Sequence, residues 1–249
     1  MNPPTAVLAS GGMDSCVLLA NIAEQGIAHP LYVETGIPWE WAEKQTLSKF
    51  IIALNNPNIK PVTTLSLPVK ALYGQSHWTM SGETVPEYDA PDETVYIPGR
   101  NIILITLAAI WCSLNDVHRI VIGSLAGNPF PDATPEFFES IANSNGMGLD
   151  HPITVEAPLR LMHKEELLAS NLELPLHLTL TCSNPQLDAD SAIIHCAQCN
   201  KCRERHEAYI DAGIPDDTSY AKTLNDIPSP SIEGEGVSPN LPSPLTGEG

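Results

Sequence analysis

Apolar positions along the chain come in short runs split by turn residues, and their period alternates between strand-like and helix-like. Residues 5–9 form a short apolar run closed by Ser10-Gly11-Gly12, the pattern of a buried strand entering a tight turn. From Asp14 to Ala23 the sequence puts Val17, Leu18, Leu19 and Ile22 on one helical face, with Gly26 as the stop. Residues 31–34 predict a second strand, 39–54 a helix and 62–67 a third strand. Strands alternating with helices predict an α/β fold, a parallel sheet with helices on both faces.

Residues 71–98 break this rhythm with Gly74, Gly82, Pro86, Pro91 and Pro98, and so predict a long irregular connection of the functional kind. Residues 101–111 are apolar all round and predict a buried helix. Residues 119–124 read as a strand ending in Gly123-Ser124, and 135–145 as a helix with Thr134 as N-cap and Glu136 and Glu139 near its positive end. A strand at 153–156 and a helix at 164–170 follow. After Pro175 the pattern gives way to short apolar pieces and cysteines. These shifts divide the chain into an α/β domain (1–175), a cysteine-bearing C-terminal region (176–226) and a tail (227–249). The tail is rich in Pro, Ser and Gly and is expected to be disordered.

Charge and cysteine usage narrow the chemistry. The 249 residues carry 12 Lys and Arg against 30 Asp and Glu, a formal charge of −18, which disfavours broad binding to nucleic acid or to anionic membrane surfaces. No apolar run approaches the roughly 18 residues of a membrane span, and the first residues lack a basic, then apolar, secretory pattern. The chain therefore reads as soluble and cytoplasmic, where thiols stay reduced. In that setting Cys182, Cys196, Cys199 and Cys202 point to a metal site rather than to disulfides. Four thiolates suit a closed, structural Zn²⁺ site, and an iron–sulfur cluster is the competing occupant. Arg203 and Arg205 follow the last cysteine, where positive charge would favour thiolates. Cys16 and Cys112 lie in apolar helical stretches and read as core.

Ser10-Gly11-Gly12-Met13-Asp14-Ser15 stands where the first strand meets the first helix. Glycines allow close approach to an anion, Ser10 and Ser15 add hydroxyl donors, and the helix terminus favours negative charge. No Gly-Lys-Ser/Thr follows, and the string is not Gly-x-Gly-x-x-Gly. It resembles the pyrophosphate loop of the PP-loop ATP pyrophosphatases, with their Rossmann-like sheet. The resemblance implies that the loop cradles pyrophosphate and that Asp14 helps to hold Mg²⁺.

The resemblance sharpens when the remaining motifs are read in order. They are Tyr96-Ile-Pro-Gly-Arg-Asn-Ile, Ile122-Gly123, Pro131-Asp132, Pro135-Glu136-Phe137-Phe138, Glu156-Ala-Pro-Leu159, Lys164 and Thr181-Cys182 with the cysteine tail. Over about residues 5–220 the chain is similar to the 7-cyano-7-deazaguanine synthase (QueC) family. That likeness implies a carbon–nitrogen ligase which adenylates 7-carboxy-7-deazaguanine with ATP and uses ammonia to form first an amide and then a nitrile. It further implies ATP and Mg²⁺ at Ser10 to Ser15, with Arg100, Asn101 and Gly123 in the nucleotide pocket and Asp14, Ser15 and Lys164 as the catalytic set. Phe130, Asp132 and Glu136 would contact substrate, and Cys182, Cys196, Cys199 and Cys202 would hold Zn²⁺. The expected partners are a small carboxylate and an amine, with a homodimer as the assembly.

Two stretches depart from the family pattern. Where family members carry Tyr-Gly-Gln…His, this chain reads Glu34-Thr-Gly-Ile-Pro-Trp-Glu-Trp41. The usual Ser-Gly-Tyr-Pro-Asp-Cys-Arg run becomes Asn128-Pro-Phe-Pro-Asp-Ala-Thr134, with Phe130 at the tyrosine position. These changes leave open a related enzyme that joins a deazaguanine-type or other acid to a different amine, such as a protein terminus. A PP-loop tRNA-thiolating enzyme and a non-catalytic nucleotide-binding protein are the remaining alternatives. The acidic charge and the spacing of the cysteines weigh against the first, and the intact loop with Lys164 against the second.

Overall fold

The computed structural model describes residues 2–222. The tail expected over 227–249 lies outside the described residues. In chain order the elements are β1 (Asn2–Leu8), α1 (Met13–Gln25), β2 (Gly26–Glu34), α2 (Glu40–Leu54) and β3 (Thr63–Ser66), then the one-turn helices α3 (Lys70–Tyr73) and α4 (Trp78–Ser81). There follow α5 (Arg100–Asn115), β4 (Arg119–Val121), α6 (Pro135–Leu149), β5 (Thr154–Glu156), α7 (Lys164–Ala169), a hairpin of β6 (Gln186–Leu187) and β7 (Ile193–Ile194), and α8 (Asn200–Ala212).

Strands β1 to β5 form one sheet in the order β3-β2-β1-β4-β5, with every pairing parallel. Successive side chains of a strand face opposite sides of a sheet, and β1 serves both. Val7 joins the core made with Val17, Leu18 and Phe50 of α1 and α2, whereas Ala6 and Leu8 join Ile105, Ala108 and Phe138 of α5 and α6. Helices therefore cover both faces, as the alternating pattern predicts. The order reverses between β1 and β4, so the crevice for a ligand opens at the carboxyl ends of these two strands.

Helix α5 departs from expectation. Ile105, Ala108, Ala109 and Cys112 face the sheet, but Ile102, Ile110 and Leu114 are 49%, 41% and 79% exposed. The helix lies on one face of the sheet and buries one stripe, although its outer stripe is apolar too. Leu176, Ala208 and Tyr209, which lie beyond residue 175, belong to the same core cluster as Val17 and Phe50, so the cysteine region packs into the α/β core. It also straps the irregular 71–98 connection, since the Asn200 Nδ2 donates to Ala90 O at 2.6 Å and its backbone N–H to Pro86 O at 3.1 Å. Among the described residues no helix is long and apolar enough to cross a membrane.

Candidate functional site

The turn after β1 is held by its own serines. Ser15 Oγ accepts from Ser10 N at 3.2 Å and donates to Gly12 O at 3.0 Å, while Ser10 Oγ accepts from Gly12 N at 3.3 Å. Gly12 provides no side-chain cap for α1, which leaves first-turn N–H groups for a ligand. Gly11 has φ +81°, and a Cβ there would stand 2.6 Å from Glu43 O, so only glycine fits. Gly123, after β4, lies so close to the first turn of α1 that a Cβ would meet Asp14 C and Ser15 N at 3.0 Å. The chain crosses this turn once more, with Leu180 N donating to Gly11 O at 2.8 Å.

Above the turn lies a cluster of charges. Lys164 opens α7 and reaches Asp14 at 3.5 Å and Glu204 of α8 at shorter range, and Lys201 also pairs with Glu204. Lys164 is largely buried, although its acidic neighbours Glu165 and Glu166 suggest a solvated surface helix. Burial by itself would raise Glu204, but Lys164 and Lys201 outweigh it and hold the carboxyl near 2. Asp14 behaves differently. Burial raises its pKa, Lys164 opposes this only in part, and Asp14 Oδ1 is buried with no hydrogen-bond partner. A buried carboxylate oxygen without a partner fits a bound cation, and Mg²⁺ takes such hard oxygen ligands.

The turn opens into a cleft of about 270 Å³ lined by Ser10, Asp14, Ser15, Arg100, Asn101, Gly123, Phe130 and Asp132. A second lobe of about 240 Å³ shares Ser10, Asp14, Ser15, Arg100 and Gly123 and adds Gly12, Met13 and Lys164. The fold thus gathers the residues expected for nucleotide and substrate, except that Gly11 lies within the turn and Glu136 is exposed on the first turn of α6, both outside the lining. Asn101 and Asp132 lock each other: Asn101 N donates to Asp132 Oδ2 at 3.0 Å, and Asn101 Nδ2 donates to Asp132 O at 2.8 Å. Asp132 thereby fixes the 128–133 loop to the start of α5. Phe130 stacks on Tyr96 with centroids 4.9 Å apart, forming an aromatic wall. Trp39 is buried and stacks on Trp78 with centroids 5.8 Å apart, and both rings line the second lobe.

Glu43, Lys201 and Glu204 of the cleft escape sequence reasoning. Glu43 lines both lobes, where its carboxylate accepts from Tyr32 Oη at 2.7 Å and from Trp39 Nε1 at 3.2 Å. Burial pushes its carboxyl up to about 7, against the opposing charge of Arg100. Glu204 joins the charge cluster from the far end of the chain. Its one signal in sequence is the i, i+3 spacing from Lys201, a pattern common on any exposed helix.

The four cysteines converge. Their sulfurs lie within 4.8 Å of one another, with Sγ–Sγ separations of 3.8 Å (Cys196–Cys202), 3.9 Å (Cys182–Cys199) and 3.5 Å (Cys199–Cys202). Tetrahedral zinc with Zn–S of about 2.3 Å sets sulfurs about 3.8 Å apart, so the set fits one ion. All four are buried, and backbone N–H groups of Asn184, Cys196 and Gln198 donate to the sulfurs, as suits thiolates. The nearby arginines serve other partners. Arg205 is fully buried against Thr179, Thr181 and Thr218 hydroxyls and Leu176 O, and Arg203 pairs with Asp92.

Comparison with known proteins finds one matching family. The family described as "Queuosine biosynthesis protein QueC" matches residues 5–213. A relative from Azoarcus sp. (strain BH72), named 7-cyano-7-deazaguanine synthase, is 31% identical over 88% of this chain and 97% of its own length. A relative of the same name from Thiobacillus denitrificans is 32% identical over 89% of this chain and 100% of its own. Among solved structures, a predicted subunit of tRNA methyltransferase from Methanocaldococcus jannaschii matches at a TM-score of 0.45 and 13% identity, covering 90% of this chain and 94% of that one. That likeness is too distant to bear on either fold or function.

Proposed function

Because the chain belongs to the QueC family, we propose that it is an ATP-dependent carbon–nitrogen ligase converting 7-carboxy-7-deazaguanine and ammonia into 7-cyano-7-deazaguanine. The observation that carries this reading is the meeting of the Ser10–Ser15 turn with the Asp14–Lys164–Glu204 cluster at the mouth of the cleft. A carboxylate is a poor electrophile until one oxygen becomes part of a good leaving group. Its attack on the α-phosphorus of ATP gives an acyl adenylate and expels pyrophosphate. Ammonia adds to the acyl carbon, loses a proton and displaces AMP, leaving the amide. In a second round the amide oxygen attacks another ATP, again releasing pyrophosphate, and loss of AMP with the remaining N–H protons leaves the nitrile.

The chain's part is positioning and charge. Amides of the turn and the hydroxyls of Ser10 and Ser15 hold the departing pyrophosphate, and Lys164 neutralises it. Asp14, with its free Oδ1, would hold Mg²⁺, which when bound screens the phosphate oxygens. The Tyr96–Phe130 wall offers a face to a planar heterocycle, and Asp132 holds that wall in place through Asn101. Zn²⁺ on Cys182, Cys196, Cys199 and Cys202 would be structural, since four thiolates leave no open position. It would anchor α8, which starts directly after Cys199 and carries Lys201 and Glu204 into the site.

The test is a mass-spectrometric assay of the purified chain with Mg-ATP and 7-carboxy-7-deazaguanine, with and without ammonium. AMP together with an ammonium-dependent nitrile is the expected result. The changes at 34–41 and 128–134 favour a second reading, in which the same activated acid passes to another amine. AMP without nitrile at saturating ammonium would select that reading, and no AMP with this acid would overturn the proposed substrate.

A further inference from the structure

Transfer of an amine to an activated acid releases a proton, which a base in the cleft can take. Among the described residues neither lobe is lined by a histidine or a cysteine, and the carboxylates that line them are Asp14, Glu43, Asp132 and Glu204. Three of these are engaged. Glu204 pairs with Lys164 and Lys201, and Asp132 Oδ2 accepts from Asn101 N at 3.0 Å. Asp14 lies against Lys164 and carries the partner-free oxygen that suits a cation.

Glu43 differs in place and in partners. It stands on the first turn of α2, which lies so close to the Ser10–Ser15 turn that a Cβ on Gly11 would be 2.6 Å from Glu43 O. Its side chain belongs to the lining of both lobes. Each carboxylate oxygen accepts from one neutral donor, Oε2 from Tyr32 Oη at 2.7 Å and Oε1 from Trp39 Nε1 at 3.2 Å. An ionised carboxylate has about four acceptor sites, so each oxygen keeps a lone pair for a proton. Tyr32 and Trp39 thus orient the group without neutralising it. The charged groups that act on it are Arg100 of α5, which favours the carboxylate, and Glu40 of the same helical turn, which opposes it. Glu40 is itself committed to the Gly36 N–H at 2.8 Å. Burial outweighs Arg100 and raises the Glu43 carboxyl to about 7, which keeps it poised between base and acid near neutral pH.

We propose that Glu43 is the general base of amine transfer, an assignment that rests on the ligase reading above. The lone pair of ammonia forms the C–N bond as the carbonyl π pair moves onto oxygen. Glu43 then takes one proton from the new ammonium centre, and that N–H bond pair stays on nitrogen. The pair on oxygen returns to the carbonyl, the bond between the acyl carbon and the AMP oxygen breaks, and AMP leaves with its electrons. The Glu43 carboxylic acid passes its proton to water as products depart.

The test separates activation from transfer in the full chain. Exchange of labelled pyrophosphate into ATP, dependent on 7-carboxy-7-deazaguanine, reports activation with no amine present. Single-turnover formation of the amide, at the same concentration of free ammonia at every pH, reports transfer. In the wild type, transfer should rise with pH and level off above about 7. In Glu43→Gln, transfer should fall about 10²-fold relative to exchange, with the rising limb lost. Glu43→Asp keeps a carboxylate and should keep the limb at a reduced rate. Hydroxylamine is a weaker base than ammonia and its adduct sheds a proton to water more readily, so it should lessen the defect of the glutamine variant. Equal losses of exchange and transfer in Glu43→Gln, or an unchanged pH profile, would overturn the role of Glu43 and leave the ligase reading standing. No acid-dependent exchange in the wild type would overturn that reading, and the role of Glu43 with it.

Discussion

The two ends of the cleft are built by different means. At the end proposed to bind phosphate, one six-residue turn presents backbone amides and hydroxyls, and its geometry depends on Gly11, which admits no Cβ. At the acceptor end, the surfaces come from side chains on β2, α2, the 95–101 segment and the 128–133 loop, far apart in sequence. Backbone recognition of phosphate tolerates almost no change, because the hydrogen-bond donors are the chain itself. Side-chain recognition can be rebuilt one residue at a time. Under the proposed function the Ser10–Ser15 string would hold phosphate, while the 34–41 and 128–134 stretches, where the resemblance implies departures, contribute Thr35, Ile37, Asn128, Phe130 and Asp132 to the larger lobe.

The contrast breaks most sharply at Lys164. Lys164→Met keeps the stem but leaves Asp14 and Glu204 without their shared cation. Removing one preorganised electrostatic group of this kind costs about 10²- to 10³-fold in rate. Acid-dependent exchange of labelled pyrophosphate into ATP should fall by that much, with the far-ultraviolet dichroism of the variant unchanged. Exchange within tenfold of wild type would remove Lys164 from phosphate handling.

The same contrast explains what the sequence made legible. The Ser10–Ser15 turn and the cysteine cluster are local patterns, readable because their residues lie within a few positions or a short spacing. The parallel sheet was legible from alternating periods. By contrast, the Tyr32–Glu43 bond joins β2 to α2, and neither residue carries a signature of its own. Lys164 was ambiguous in sequence because acidic neighbours at 165 and 166 suggest a surface helix, and only the arrival of α8 buries it. For α5, composition misled: Ile102, Ile110 and Leu114 are as apolar as the inward residues, so periodicity could not tell the exposed stripe from the buried one.

At the junction of the two ends, Glu43 gives a measurement of how dry the cleft is. Burial raises its carboxyl from 4.5 to about 7, so the folded chain binds this proton more tightly than the unfolded chain. The associated stabilisation is fully present below about 4.5 and is lost as pH rises through about 7. In Glu43→Gln the amide can donate to Tyr32 Oη and accept from Trp39 Nε1, so both hydrogen bonds survive without the titration. Urea unfolding at pH 5 and pH 8 should show the variant gaining on the wild type by on the order of 2 kcal/mol as pH rises. A difference that stays constant across this range would mean that the carboxyl titrates normally and that the acceptor end is well solvated.

The smallest effect, at Phe130, is the most specific to the acceptor end. Its ring stacks on Tyr96 in the wall of the larger lobe, and Phe130 does not line the lobe that holds Lys164 and Gly12. An aromatic pair contributes about 0.5–1.5 kcal/mol beyond simple burial, and a planar substrate stacked on that wall would gain a similar amount. Phe130→Ala should therefore raise KM for the acid about three- to tenfold while leaving KM for ATP unchanged. Phe130→Tyr preserves the ring and should leave both constants close to wild type. If the alanine variant instead raised both KM values together, the loop would be coupled to the phosphate turn through Asp132 and the start of α5, and the two ends would act as one surface.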